Sequence, residues 1–356
     1  MKKYNFSPGP AIMPRSVIEE ATQGMLDFSG MGLSILEISH RSAEFTAVVE
    51  EAMQLVRDLL DVSADYEVLF LTGGASMQFA MAPMNLLDSA ETAAYVDSGT
   101  WSNKAIKEAK NFGNVRVLAS SKEQNYTFIP KDYEVPTDMK YLHLTSNNTI
   151  FGTQYHWWPE TDVPFVCDMS SDIFSRPVDM NRFGLIYAGA QKNAGAAGVT
   201  LVVVRKDMLG KVSRTLPSML DYRVFAAENS LYNTPPVFAI YIMMLTMRWV
   251  KANGGVKGMA ERNEEKAQLL YNEIDTNPFF TGTTAVEDRS RMNATFLATG
   301  TAIEQSFLES CKATGIVEIK GHRSVGGFRA SMYNAMDLEG VNVLVEVMRD
   351  VARSQG

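Results

Sequence analysis

Seven short apolar runs, each closed by a polar or turn residue, do most to limit what this chain can fold into. They read EVLFLT (67–72), AAYVD (93–97), VRVLA (115–119), YLHLT (141–145), FVCD (165–168), LIYAG (185–189) and VTLVVVR (199–205). Helical patterns separate several of them, at 41–60, 75–88 and 101–112. Strands this apolar are covered on both faces, and strands alternating with helices pair mostly in parallel. The expectation is an α/β chain whose large domain holds a mostly parallel seven-stranded sheet between helices. An apolar helix over 237–252 follows, started by Pro235-Pro236 and broken by NGG at 253–255. Beyond it the pattern predicts a helix near 258–274, a strand at 292–298, a helix at 303–313, strands at 315–320 and 326–333, and a helix at 338–353. That is a smaller α+β C-terminal domain. The expected limits are 16–250 for the large domain and 251–356 for the small one, with 1–15 joined to the latter.

Charge and cysteine content narrow the function. A net charge of −8 over 356 residues argues against general nucleic-acid binding, which needs a basic surface. The longest apolar stretch, Val237–Met247, is too short to span a bilayer, so no membrane association is expected. Lys2 and Lys3 precede no apolar run of signal-peptide length. Two cysteines, Cys167 and Cys311, stand at no metal-binding or CxxC spacing. The expectations are a reducing cytoplasm, no disulfide framework and no metal site.

In an open α/β sheet the chemistry gathers at the carboxyl ends of the strands. Four features sit there. LTGGASMQF (71–79) opens a helix with N–H groups that can bind an anion. VDSGTWSNK (96–104) places Trp101 at a helix start, FVCDMSSD (165–172) ends a strand on Asp168, and YAGAQKNAGAAG (187–198) isolates Lys192 among small side chains. Neither GxGxxG nor GxxxxGK[ST] is present, so a Rossmann dinucleotide site or a P-loop has no motif. A phosphate-binding turn, an aromatic plate, a carboxylate and a lone lysine are the set that pyridoxal phosphate requires. Taken singly, each feature has an ordinary structural use. The Gly-Gly turn can be a plain loop, Trp101 core, Asp168 a cap of the next turn, and Lys192 a solvated lysine.

The sequence also resembles a known family, the phosphoserine aminotransferases of the class V, fold-type I pyridoxal phosphate enzymes. The resemblance is carried by NFSPGPAIMP (5–14), EISHRSAEF (37–45), TGGASMQFAMAPMNLL (72–87), SGTWSNKAIKEA (98–109), SNNTIFGTQ (146–154), DMSSDIFSRPVD (168–179), YAGAQKNAGAAGVTLVVVR (187–205), LYNTPPVFAIY (231–241), RSRMNATF (289–296) and KGHRSVGGFRASMYNA (320–335). It implies amino transfer between phosphoserine and 2-oxoglutarate, in serine biosynthesis, with a related phospho-hydroxythreonine reaction in pyridoxine biosynthesis. By this resemblance Lys192 is the Schiff-base lysine and Asp168 the partner of the ring nitrogen. Trp101 stacks on the ring, Thr149 lies by its hydroxyl, and Ala75, Ser76 and Gln191 hold its phosphate. Asn233 and Thr234 would reach the cofactor phosphate of a partner subunit, which implies a homodimer. Arg329 would bind the substrate α-carboxylate. His322 and Arg323, with His40 and Arg41 from the partner, would bind the distal phosphate or carboxylate, in keeping with the affinity of arginine for both. Some members of the family carry an arginine where this chain has Ser76. The alternatives within the superfamily are an aminotransferase of a different small acid, or a lyase or desulfurase. The last needs a mobile reactive cysteine, whereas Cys167 falls in a predicted strand and Cys311 in a predicted helix.

Overall fold

The structure, a computed structural model, describes residues 2–355. The seven apolar runs form strands β1 (Tyr66–Leu71), β2 (Thr92–Asp97), β3 (Asn114–Ser120), β4 (Leu142–Thr145), β5 (Phe165–Asp168), β6 (Phe183–Gly189) and β7 (Thr200–Arg205). They make one sheet in the order β1-β7-β6-β5-β4-β2-β3. β3, β2, β4, β5 and β6 run parallel in sequence of pairing, and β7 is antiparallel to both its neighbours, β6 and β1. The tight connection from β6 to β7 through 190–199 explains the reversal, since a parallel return needs a crossover of a dozen residues or more.

Alternation along the strands divides the core into two layers. Phe70, Val96, Leu144, Cys167, Ala188 and Val203 face one side, where helices α2 (Ala43–Leu60) and α6 (Val237–Ala252) cover them. Leu71, Tyr95, Val166, Tyr187 and Val202 face the other, under α3 (Gly74–Leu86), α4 (Thr100–Ala109) and the short α5 (Tyr222–Ala227). α1 (Arg15–Leu26), which the sequence pattern did not predict, packs on α6, and Gly24 leaves room for the Tyr241 ring. The apolar helix α6 runs from Val237 to Ala252 as expected. Gly254, at φ +88°, then turns the chain into α7 (Gly255–Thr276).

A separate cluster forms around α7, α8 (Thr301–Thr314), α9 (Leu338–Gln355) and a three-stranded antiparallel sheet of β8 (Phe280–Gly282), β9 (Asn293–Ala298) and β10 (Phe328–Ser331). Phe280, Phe296, Phe307 and Phe328 interlock there, edge to face except for the tilted pair Phe296–Phe328. The strand expected over 315–320 is reduced to Ile316–Val317, which pairs with the two-residue N-terminal strand Tyr4–Asn5, while Lys320 makes a lone antiparallel bridge to Phe328. Phe6 is buried in this cluster. The turn after β10 is pinned by Lys266, whose buried ammonium donates to the carbonyls of Met332, Tyr333 and Met336 at 3.0, 2.8 and 3.0 Å. Burial pushes that lysine down to about 7.

Candidate active site

A cavity of about 590 Å³ lies at the carboxyl ends of the parallel strands, where the N-terminal segment, the sheet and the β10 region meet. Asp168, Lys192, Trp101, Thr149, Ala75, Ser76, Gln191, His322, Arg323 and Arg329 all line it. Ten of the fourteen residues expected to form the site therefore share one space within one chain. Asn233, Thr234, His40 and Arg41 do not line this cavity.

Each side chain is positioned by its element. Asp168 is the last residue of β5, in register with Thr145 and Tyr187 on the neighbouring strands. Its carboxylate is buried, accepts the Ser170 N–H at 2.9 Å, and is pushed above its ordinary pKa by that burial. Lys192 follows β6 and donates from Nζ to Thr149 Oγ1 at 2.8 Å. Burial lowers its pKa to about 8, against the opposing pull of Asp168. The Thr149 carbonyl also accepts Arg329 Nη1 at 3.4 Å, so one residue spaces the lysine from the arginine. Arg329 is buried on β10, and burial holds it below its usual value. Its Nε has no hydrogen-bond partner among the described residues.

The small residues beside Lys192 serve two purposes. Ala190 and Ala194 are fully buried, and a Cβ on Gly195 would come within 3.2 Å of the Met243 backbone. Close packing on α6 thus accounts for part of what the sequence attributes to a bound ring. On the other side Gly9, at φ +145°, lets the N-terminal segment cross the Lys192 stem; a Cβ there would stand 3.4 Å from Lys192 Cγ. Ala11 N–H donates to the Gln191 carbonyl at 2.9 Å, fixing that crossing.

Gly73 and Gly74, both at positive φ, turn β1 into α3, whose first N–H groups reach the cavity at Ala75 and Ser76. Trp101 sits in the first turn of α4, whose start is held by the Ser98 and Gly99 N–H groups on Ser102 Oγ at 3.0 and 2.9 Å. His322 accepts the Ser324 N–H on Nδ1 at 3.1 Å, which leaves Nε2 as the donor. Burial, with Arg329 and Arg323 nearby, lowers its pKa below the ordinary histidine value.

Several lining residues had no signal of their own in the sequence. Pro8 and Gly9 come from the N-terminus, Thr145 and Asn147 from the end of β4, and Ser170 and Ser171 from the turn after Asp168. Asn147 Nδ2 donates to Ser171 Oγ at 2.8 Å and to Asn293 Oδ1 at 2.7 Å, and Asn293 Nδ2 donates to Ser331 Oγ at 3.0 Å. This buried chain ties the end of β4 to the strand that carries Arg329.

Pyridoxal phosphate fits this arrangement. The cavity offers a buried carboxylate for a ring cation, free N–H groups at a helix start for a phosphate, and a lysine of depressed pKa for an aldehyde. Thr145 Oγ1 and Trp101 Nε1 are buried there without hydrogen-bond partners among the described residues. Arg41 instead lines a shallow hollow with Glu228 and Tyr232, close in sequence to Asn233 and Thr234.

The family model for class-V aminotransferases matches residues 3–344. The chain belongs to this family. It is 56% identical over 350 residues to the phosphoserine aminotransferase of Flavobacterium johnsoniae, covering 98% of each chain. It superposes on the phosphoserine aminotransferase of Bacillus circulans subsp. alkalophilus with a TM-score of 0.96 and 46% identity, over 100% of this chain and 99% of that one. A pyridoxal-phosphate-bound phosphoserine aminotransferase from Trichomonas vaginalis aligns at a TM-score of 0.93 and 37% identity, over 98% and 100% of the two chains. The architecture is that of fold-type I. Within the superfamily, no observation favours a desulfurase: Cys167 and Cys311 are buried, and burial raises both thiols, that of Cys311 to about 12.

The depressed lysine gives a direct test. A lowered pKa frees the amine at lower pH, so site-resolved acylation of Lys192 in the cofactor-free protein should rise with a midpoint near pH 8. A midpoint close to the ordinary lysine value of about 10.4 would show that burial does not act on this amine.

Proposed function

We propose that this chain is a phosphoserine:2-oxoglutarate aminotransferase, moving the amino group reversibly between O-phospho-L-serine and L-glutamate with pyridoxal phosphate. The observation that carries the reading is the convergence of Lys192, Asp168 and Arg329 on one cavity, with cations at its rim. When bound, the cofactor supplies an aldehyde carbon that carries the amino group and a pyridine ring that takes up the electron pair of the breaking Cα–H bond.

The residues supply the rest. Lys192 attaches the cofactor and, once released, takes the substrate Cα proton as a neutral amine, for which a pKa of about 8 suits it near neutral pH. Asp168 would keep the ring nitrogen protonated, and because its carboxylate is buried its charge is worth more there than at a surface. Trp101 covers the ring, Thr149 holds Lys192 and the ring hydroxyl in turn, and Ala75, Ser76 and Gln191 receive the cofactor phosphate. Arg329 takes the α-carboxylate through a two-pronged contact, fixing Cα over the lysine. His322 and Arg323 receive the distal group, which is a phosphate in one half-reaction and a carboxylate in the other.

The active unit in this reading is a homodimer. Asn233 and Thr234 complete the neighbour's cofactor-phosphate site, and His40 and Arg41 its substrate site. His40 Nε2 is buried without a partner, and Arg41 is exposed beside Tyr232 on the face that carries Asn233. We place the reaction in the cytoplasm, as part of serine biosynthesis, with a phospho-hydroxythreonine of pyridoxine biosynthesis as the second substrate of the same pocket.

Steady-state transamination of phosphoserine with 2-oxoglutarate tests the reading. Arg329→Ala should lower kcat/KM for phosphoserine and glutamate alike, and Arg323→Ala should penalise phosphoserine more, by about ten- to a hundredfold for a lost charge-assisted bond. Equal losses in the Arg323 variant would displace the phosphate pocket from this loop. The shared site is tested by mixing inactive Lys192→Ala chains with inactive Asn233→Ala/Thr234→Ala chains. Mixed dimers should regain activity at one of their two sites; none regained, with mixed dimers formed, would mean that each site is built from one chain.

A further inference from the structure

The proposed substrate brings a phosphate dianion into a cavity that already receives the phosphate of the cofactor, and the two need separate cationic partners. The turn at 72–79, Thr-Gly-Gly-Ala-Ser-Met-Gln-Phe, has no charged side chain, so its N–H groups serve one phosphate and nothing there neutralises a second. Among the described residues Asp168 is the only carboxylate lining the cavity, against the cations Lys104, Lys192, Arg323 and Arg329. Lys192 and Arg329 are committed to the cofactor and the α-carboxylate. Burial and the nearby Arg329 and Arg323 lower the pKa of His322. Lys104 has no role in the scheme so far.

Its placement is specific. Lys104 lies one turn beyond Trp101 on α4, with its Nζ 4.7 Å from the centroid of the Trp101 ring. Two other lysines near the large sheet, Lys140 and Lys251, pair with carboxylates, Lys140 with Glu91 and Lys251 with Asp58, each at 2.6 Å. Lys104 has the indole face in place of a carboxylate, which orients the ammonium while leaving its charge uncancelled. Trp101 and Val325 pack against the same small cluster of Tyr126, Ile150 and Phe151. The start of α4 and the 322–325 loop therefore meet at one cluster, and Lys104 of the first and Arg323 of the second both line the cavity.

We propose that Lys104 is a specificity-determining residue that holds the substrate phosphate from α4, together with Arg323. The inference rests on the phosphoserine reading above. An ammonium suits this place because it is a compact point charge with three donors, able to follow a phosphate in one half-reaction and a smaller carboxylate in the next. The second negative charge of the phosphate is what Lys104 answers, so its contribution is larger for phosphoserine than for glutamate.

The test uses the holoenzyme with Lys104→Met, which keeps the apolar stem over Trp101, and Lys104→Arg, which keeps the charge. Lys104→Met should raise KM for phosphoserine about tenfold, the loss expected of one charge-assisted contact at a partly exposed site. KM for glutamate should rise by no more than about threefold and kcat should hold within about twofold. Competitive inhibition by inorganic phosphate should weaken in proportion, Lys104→Arg should recover most of the loss, and the cofactor dissociation constant followed by absorbance should not change. Equal KM shifts for the two amino acids, unchanged inhibition by phosphate, or weakened cofactor binding would each overturn the assignment. A wild-type enzyme that turns over phosphoserine beside an unaltered Lys104→Met variant overturns this inference alone. A wild-type enzyme inactive on phosphoserine overturns the proposed function and this inference with it.

Discussion

A carboxylate buried at the end of a strand governs this site. Asp168 is about 5% exposed and receives one backbone N–H, from Ser170, while burial works against its ionised form. A carboxylate in that position is costly unless a cation compensates it. Lys192 supplies part of that compensation electrostatically, and the same closeness to Asp168 opposes the burial that lowers the lysine pKa. The two groups are coupled: the burial that lowers the Lys192 pKa also raises that of Asp168, and in the proposed function this pairs a usable base with a carboxylate suited to a ring cation. Asp168 is fixed at the end of β5 by its register with β6, and Lys192 is carried by the turn that follows β6, where its Nζ is held by Thr149.

The rest of the fold brings the substrate-facing charges to that pair. Arg329 belongs to a different sheet and a different hydrophobic cluster, so no strand pairing sets its distance from Lys192. Buried side chains do so instead. The relay from Ser171 through Asn147 and Asn293 to Ser331 crosses between the two sheets, and Thr149 contacts Lys192 with its hydroxyl and Arg329 with its carbonyl. Asn334 adds a second tie, donating its N–H to Asn193 Oδ1 at 2.9 Å, next to the lysine. Buried amides of this kind are costly unless satisfied, so each link constrains the next.

The legibility of the sequence follows from where each signal is stored. Six strands of the large sheet were readable because they are buried along nearly their whole length and contain mostly apolar residues; the edge strand β3, largely exposed, was readable only from its Val and Leu residues. Asp168, Lys192 and Trp101 stood out because strand ends in such a sheet are few and their residue types are unusual there. The short Tyr4–Asn5 and Ile316–Val317 pairing left no periodicity to detect, and α1 has only three buried residues in twelve, too weak a stripe to read. Asn147, Asn293 and Pro8 were invisible for a different reason. Their role depends on partners more than a hundred residues away, and an isolated asparagine or proline carries no mark of that.

The central claim is that the buried charge of Asp168 drives Cα–H cleavage by Lys192. A single-turnover experiment isolates that step: holoenzyme is mixed with α-deuterated phosphoserine without 2-oxoglutarate, and loss of deuterium is followed per site. In Asp168→Asn, which keeps the shape and removes the charge, the rate should fall by ~10²–10⁴ with retained cofactor. A rate close to that of the wild-type enzyme would contradict the account and assign the role of Asp168 to packing alone.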